Sequence, residues 1–212
     1  MKKILNVIIV FCLLTLSNSC GLVHYLGVKS PEAKSEDAQL HFLNKQKVGI
    51  DFYDYAFQFP IKNLDSLSTW KYGINTHKLK NDVKASPIQI HIYDSYGNIL
   101  NGHSQCFGDF NRLNILSEKE YKTFEWLPIN RELKLSDQLN LLDVSDEIKQ
   151  EILENAFQGK KDVFYVYWNE WSNHYSKIMF RKMKEYFKKY PERKDEIIIV
   201  FVNTDGDYSI ST

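Results

Sequence analysis

The stretch Val163-Phe164-Tyr165-Val166-Tyr167-Trp168 is apolar without a break, and Ile197-Ile198-Ile199-Val200-Phe201-Val202 is another such run. Runs of this length without polar alternation predict strands buried on both faces. Between them, residues 176–190 carry Met179, Met183, Tyr186 and Tyr190 on one side of a helix, which Pro191 stops. Strand, helix and strand in this order predict a parallel pair joined by a right-handed crossover. The fold class is therefore α/β or α+β, with helices covering a central sheet.

Working outward, residues 144–159 predict a second helix. Ser145 can cap it, Asp146 and Glu147 sit in its first turn, and Gly159 can stop it. Ile148, Ile152, Ala156, Leu153 and Phe157 form its apolar stripe. Residues 88–100 predict a β-hairpin. Ile88, Ile90 and Ile92 alternate with Gln89, His91 and Tyr93, Asp94 to Gly97 is turn chemistry, and Ile99 and Leu100 begin the return strand. Pairing Tyr93 with Asn98 would give the hairpin one buried face and put Ile99 on it. Residues 48–59 are rich in aromatics and end at Pro60, which predicts a strand near an edge. Residues 63–85 give no clean period, and there is no internal repeat.

The turn Trp168-Asn169-Glu170-Trp171-Ser172-Asn173-His174-Tyr175 lies between the first buried strand and its helix. It resembles the active-site turn of the thioredoxin superfamily, in which an apolar strand leads through aromatic residues to Cys-x-x-Cys at a helix start. Trp168 and Trp171 match the aromatic positions and Glu170 the link. Ser172 and Tyr175 stand where the two cysteines would be. The resemblance covers about residues 162–205 and implies a thioredoxin-like three-layer sandwich with a central mixed β-sheet. The family sets a cis-proline and a hairpin beside this turn, after the β-α-β unit. Here Ser86-Pro87 and the isoleucine hairpin come earlier. The sheet is then permuted or incomplete with Pro87 near Trp171, or else the fold is an unrelated α/β sandwich in which Pro87 only starts a strand. Disulfide exchange needs an attacking thiolate and a resolving thiol, so this turn lacks the family's chemistry. Its expected use is a binding surface made by Trp168, Glu170, Trp171, Ser172, His174 and Tyr175.

Other polar groups give weaker signals. Ser172 and His174 lie two apart at a helix start, without an orienting third group, so no catalytic residue is assigned. His103 and Cys106 have a ligand-like spacing, but with His91 they do not make the three or four convergent ligands of a zinc site. No metal or cofactor is expected. Asn203 to Asp207 reads as a turn after a strand, because its glycine is misplaced for a calcium loop. The basic residues of 182–194 read as a solvated helix face.

The amino terminus carries its own message. Lys2 and Lys3 precede a mainly apolar run from Ile4 to Leu16, and Ser17-Asn18-Ser19-Cys20 follows. This is the layout of a secretory signal over residues 1–19, and the apolar run is short for a bilayer span, which needs about 20 residues. Cysteine after small residues resembles the lipobox of bacterial lipoproteins, in its relaxed Bacteroidetes form. That resemblance implies lipidation of Cys20 and anchoring in the cell envelope, with the outer membrane as the expected site. Residues 20–46 would form a charged tether and residues 47–212 a single domain. Basic and acidic residues number 27 each; losing Lys2 and Lys3 leaves the remainder slightly acidic, against a nucleic-acid partner. Of three cysteines, Cys12 leaves with the signal and Cys20 takes lipid, so Cys106 is the one remaining thiol. The expectation is a lipid-anchored envelope protein with a redox-inactive binding or structural domain and an envelope protein partner. The alternative is a single-thiol oxidoreductase or peroxidase using Cys106.

Overall fold

Each of the two apolar runs forms a fully buried strand, β4 (Asp162–Trp168) and β5 (Ile197–Asn203). They come from a computed structural model, which describes residues 35–59, 88–104, 132–170 and 172–205. The two strands are parallel, in register from Asp162 opposite Ile197 to Trp168 opposite Asn203. Helix α4 (Asn173–Lys189) joins them, with Met179, Phe180, Met183, Tyr186 and Phe187 buried.

Strand β1 (Tyr55–Gln58) pairs parallel to β5 and ends one side of the five-stranded sheet, as its Pro60 stop predicts. On the other side, β2 (Gln89–Tyr93) pairs antiparallel to β4, and β3 (Ile99–Ser104) pairs antiparallel to β2. The order is β1-β5-β4-β2-β3. The hairpin thus precedes the β-α-β unit in the chain yet lies against its first strand, the permuted placement considered from the sequence. Helix α1 (Glu36–Lys45) and α4 cover one face. Helices α2 (Leu135–Asn140) and α3 (Asp146–Gly159) cover the other. The result is a thioredoxin-like three-layer α/β/α sandwich around a mixed sheet.

Several expectations change. Residues 36–45, whose charge predicts a tether, are helical, capped by Ser35, and bury Phe42 and Leu43. Two large side chains on one helix face outweigh a charged composition, each worth ~1.5–3 kcal/mol when fully buried. Strand β2 is buried on both faces: Ile90 and Ile92 pack on the α1/α4 side, while Tyr93 clusters with Leu135 and Leu139 of α2 and His91 meets the Tyr167 ring on the other. Its register also differs. Tyr93 pairs with Ile99 and a bulge follows, so Ile99 joins the α2 side while Leu100 packs on the isoleucine side. Asp94 fixes the turn by accepting from the backbone N–H of Tyr96 and Asn98.

Helix α3 starts at Ser145, whose hydroxyl accepts from Ile148 N at 3.4 Å. Ile152 and Ala156 are buried, but Ile148 and Phe157 are exposed. The residue that turns left-handed at its end is Lys160, with φ 52°, and not Gly159. The basic face of residues 182–194 is not wholly solvated. Lys194 donates to Phe52 O at 2.9 Å and lies over the Phe52 and Phe187 rings; desolvation there lowers its pKa.

Candidate functional site

The turn after β4 is built by residues that have little freedom to act elsewhere. Trp168 ends the strand on the α1/α4 side and is buried. Its ring stacks on Phe42 at 5.6 Å with a 4° interplanar angle and meets Phe180 edge-on at 5.8 Å. Asn169 follows, fully buried, and its side chain makes an Asx turn. Its Oδ1 accepts from Ser172 N at 2.9 Å and from the Ser172 hydroxyl. Ser176, one turn into α4, donates its hydroxyl to Asn169 O at 2.6 Å.

Strand β5 supplies the other half. Thr204 N donates to Trp168 O at 2.8 Å. Asp205 accepts from Glu170 N at 2.8 and 3.0 Å and from Asn203 Nδ2 at 2.7 Å. Asn169, Ser172, Ser176, Asn203, Thr204 and Asp205 are all buried, so this is a satisfied polar knot that ties the ends of β4 and β5 to the start of α4.

The site residues read from the sequence therefore separate. Trp168 and Ser172 are interior and offer no surface. Tyr175 is half-buried and packs against the core. Glu170 is half-buried, and His174 is exposed with its ring 5.4 Å from that of Tyr175. Ser172 is paired with Asn169 rather than with His174. Trp171, Pro87, Cys106 and Cys20 lie outside the described residues, so the proximity of Pro87 to Trp171 falls there too. Gln89 pairs with Tyr167, which sets the start of β2 beside the end of β4. Among the described residues there is no group of three His, Cys, Asp or Glu side chains suited to a metal, and no helix long and apolar enough to cross a membrane.

Sequence reading missed Asn169, Ser176, Asn203, Thr204 and Asp205 as partners. The available signal was a short polar residue directly after each buried strand, Asn169 and Asn203-Thr204-Asp205.

What the turn leaves open is a groove beside it, between α1 and α4. It has a cavity volume of about 490 Å³, within the range of small-ligand pockets. Asp37, His41, Phe42 and Lys45 line one wall, and Glu170, Asn173 and Lys177 the other. Asn173 Oδ1 is buried there without a hydrogen-bond partner among the described residues.

A second polar cluster lies on the opposite face of the sheet, under α2. Tyr167 donates its hydroxyl to Gln138 Oε1, Tyr165 reaches Gln138 O at 3.3 Å, and His91 Nε2 shares a hydrogen bond with Gln89 Oε1 at 2.8 Å. Burial pushes the Tyr93 and Tyr165 hydroxyls well above the usual tyrosine range, and the neighbouring Tyr167 adds to it. No family model, curated protein or solved structure matches this chain.

Proposed function

We propose that this chain is a lipid-anchored protein of the bacterial cell envelope, whose thioredoxin-like domain binds or scaffolds and does not exchange disulfides. One observation carries the non-redox part. Ser172, at the position of the family's attacking cysteine, is buried, and its hydroxyl is committed to Asn169. A serine hydroxyl cannot replace a thiolate even at a helix start, and this one is not presented to a substrate. Tyr175, at the resolving position, is packed on the core. The anchor part rests on Cys20 and the signal before it.

Two measurements on the purified full-length chain in detergent test the reading. Cys106 should alkylate slowly at neutral pH, and no disulfide reductase activity should be seen; rapid alkylation with turnover would replace binding by single-thiol chemistry. Radiolabelled palmitate should enter the protein in bacterial cells and fail to enter a Cys20→Ala variant. Equal labelling of both would remove the anchor.

A further inference from the structure

We propose that the basic face formed by α4 and the end of α1 docks on the anionic lipid headgroups of the membrane that holds the Cys20 lipid. This goes beyond the binding reading above and rests on its anchor part. Charge is unevenly placed in the chain. Basic and acidic residues number 27 each, yet α4 alone holds six cations, Lys177, Arg181, Lys182, Lys184, Lys188 and Lys189, against the single carboxylate Glu185. The rest of the chain is therefore net negative, and the positive field sits on one helix.

Spacing turns that composition into a stripe. Lys177, Arg181, Lys184 and Lys188 recur at i, i+4, i+7 and i+11, so they share one side of the helix over roughly 16 Å, at 1.5 Å per residue. Met179, Phe180, Met183 and Phe187 are buried on the sheet side, which fixes the direction of the stripe. Lys184 donates to Gln46 O at 2.6 Å, so the end of α1 lies beside it and brings exposed Lys45 and Lys47. Burial lowers the Lys184 pKa, and the Lys47 charge beside it adds to the shift. Glu185 is turned to Arg181 and Lys182, at 3.9 and 3.1 Å. Asp37 sits at the start of α1 and Glu170 before the start of α4, at the opposite ends from Lys45 and Lys188. The next carboxylates after Lys47, Asp51 and Asp54, lie near Lys194. Arg181, Lys184, Lys188, Lys45 and Lys47 thus form one basic area.

A basic helix face by itself is usually just solvated. The anchor gives this one a partner. The chain from Cys20 enters the domain at Ser35, the cap of α1, so the lipid is tied to the same layer that carries the charge. That chain spans at most about 50 Å, which keeps the face close enough for repeated contact with the lipid surface. Once in contact, cations are held by anionic headgroups over a screening length of about 8 Å. Docking on headgroups needs cations that reach outward, and Lys45, Lys47, Arg181 and Lys188 are exposed.

Acetylation of lysine amines, read by mass spectrometry on the chain purified from bacterial membranes and placed in vesicles, tests the docking. In equimolar phosphatidylcholine and phosphatidylglycerol, Lys45, Lys47 and Lys188 should react about fivefold more slowly than in phosphatidylcholine alone. Lys134 and Lys160, beside α2 and α3 on the opposite layer, should react equally in both. The protection should vanish in 1 M salt, where the screening length falls to about 3 Å. Arg181→Gln/Lys188→Gln changes two exposed positions, should leave circular dichroism unchanged, and should remove the protection of Lys45 and Lys47. Equal reaction in both vesicles, equal slowing of Lys134 and Lys160, or protection kept by the variant would overturn the docking. So would slowing by soluble polyglutamate with none by anionic vesicles, which would reassign the face to an acidic protein. The anchor is read separately, by retention on phosphatidylcholine vesicles after a salt wash. Loss there removes the anchor reading and the docking that rests on it, while retention without lysine protection removes the docking alone.

Discussion

Strand β4 presents Phe164, Val166 and Trp168 to one layer of helices and Val163, Tyr165 and Tyr167 to the other. The first face is mainly hydrocarbon and aromatic ring, closed by Phe180, Phe201 and Ile90, with the Tyr186 hydroxyl as its buried polar exception. The second has the same burial but carries hydroxyls, an imidazole and amides: Tyr165, Tyr167, Tyr93, His91, Gln89 and Gln138. Equal burial therefore hides two kinds of core. One is held by area and shape, the other also by hydrogen bonds that must be made once the groups leave water.

The difference can be broken most strongly from the apolar side. Phe180 is fully buried, with its ring 5.8 Å from Trp168 and 5.4 Å from Phe201. Phe180→Ala should cost about 3–5 kcal/mol, the lost transfer energy plus a cavity, read as a large fall in the urea midpoint. A loss below about 1 kcal/mol would mean that this layer is loosely packed.

On the hydroxyl-bearing side the expected effect is smaller and depends on the partner. Tyr167→Phe removes the donor to Gln138 Oε1 and should cost about 1–2 kcal/mol, because the amide oxygen is left buried. Adding Gln138→Met should recover most of that loss, since both polar ends then disappear. Additive losses in the double variant would show that the pair is not coupled.

pH separates the faces by degree, because burial raises the pKa of the Tyr186 hydroxyl on the first face less than it raises those of two tyrosines on the second. Tyr93 and Tyr165 have pKa values raised by burial above the usual value near 10. In the unfolded chain they ionise as pH passes about 10, while in the fold they stay neutral. Their stabilising contribution is therefore complete below about pH 10 and is lost as pH rises above it, by up to ~1.4 kcal/mol per pH unit for each tyrosine. Tyrosinate absorbance should rise together with unfolding, and Tyr165→Phe should flatten the alkaline limb. The loss in Phe180→Ala should be the same at neutral and alkaline pH.

How much of this was legible differs between the faces for the same reason. The strands β4 and β5, helix α4 and the Ser145 cap follow from runs and spacings local to each segment. The apolar face follows with them, as isoleucines at 88, 90 and 92 and methionines at 179 and 183 declare it. The second face did not, because Gln89, His91 and Tyr93 read as the solvated side of an alternating strand, and α2, whose Leu135 and Leu139 cluster with Tyr93, is only six residues long. The bulge after Ile92 shifted Ile99 across the sheet by one residue, which alternation alone cannot reveal. At the site, the lack of a thiol at 172 was plain. The burial of Trp168 was not, because it depends on Phe42 from a segment whose composition reads as tether.

The smallest effect is the sharpest test of the comparison. The Tyr93 hydroxyl is fully buried and has no hydrogen-bond partner among the described residues. Unlike Tyr167, it contributes ring packing but carries the desolvation cost of an unmade bond. Tyr93→Phe keeps the ring and removes the hydroxyl, so stability should be unchanged or rise by about 0.5–1 kcal/mol. A loss of ~1 kcal/mol or more would give that hydroxyl a partner in the fold. Tyr93 would then belong to the bonded set with Tyr165 and Tyr167.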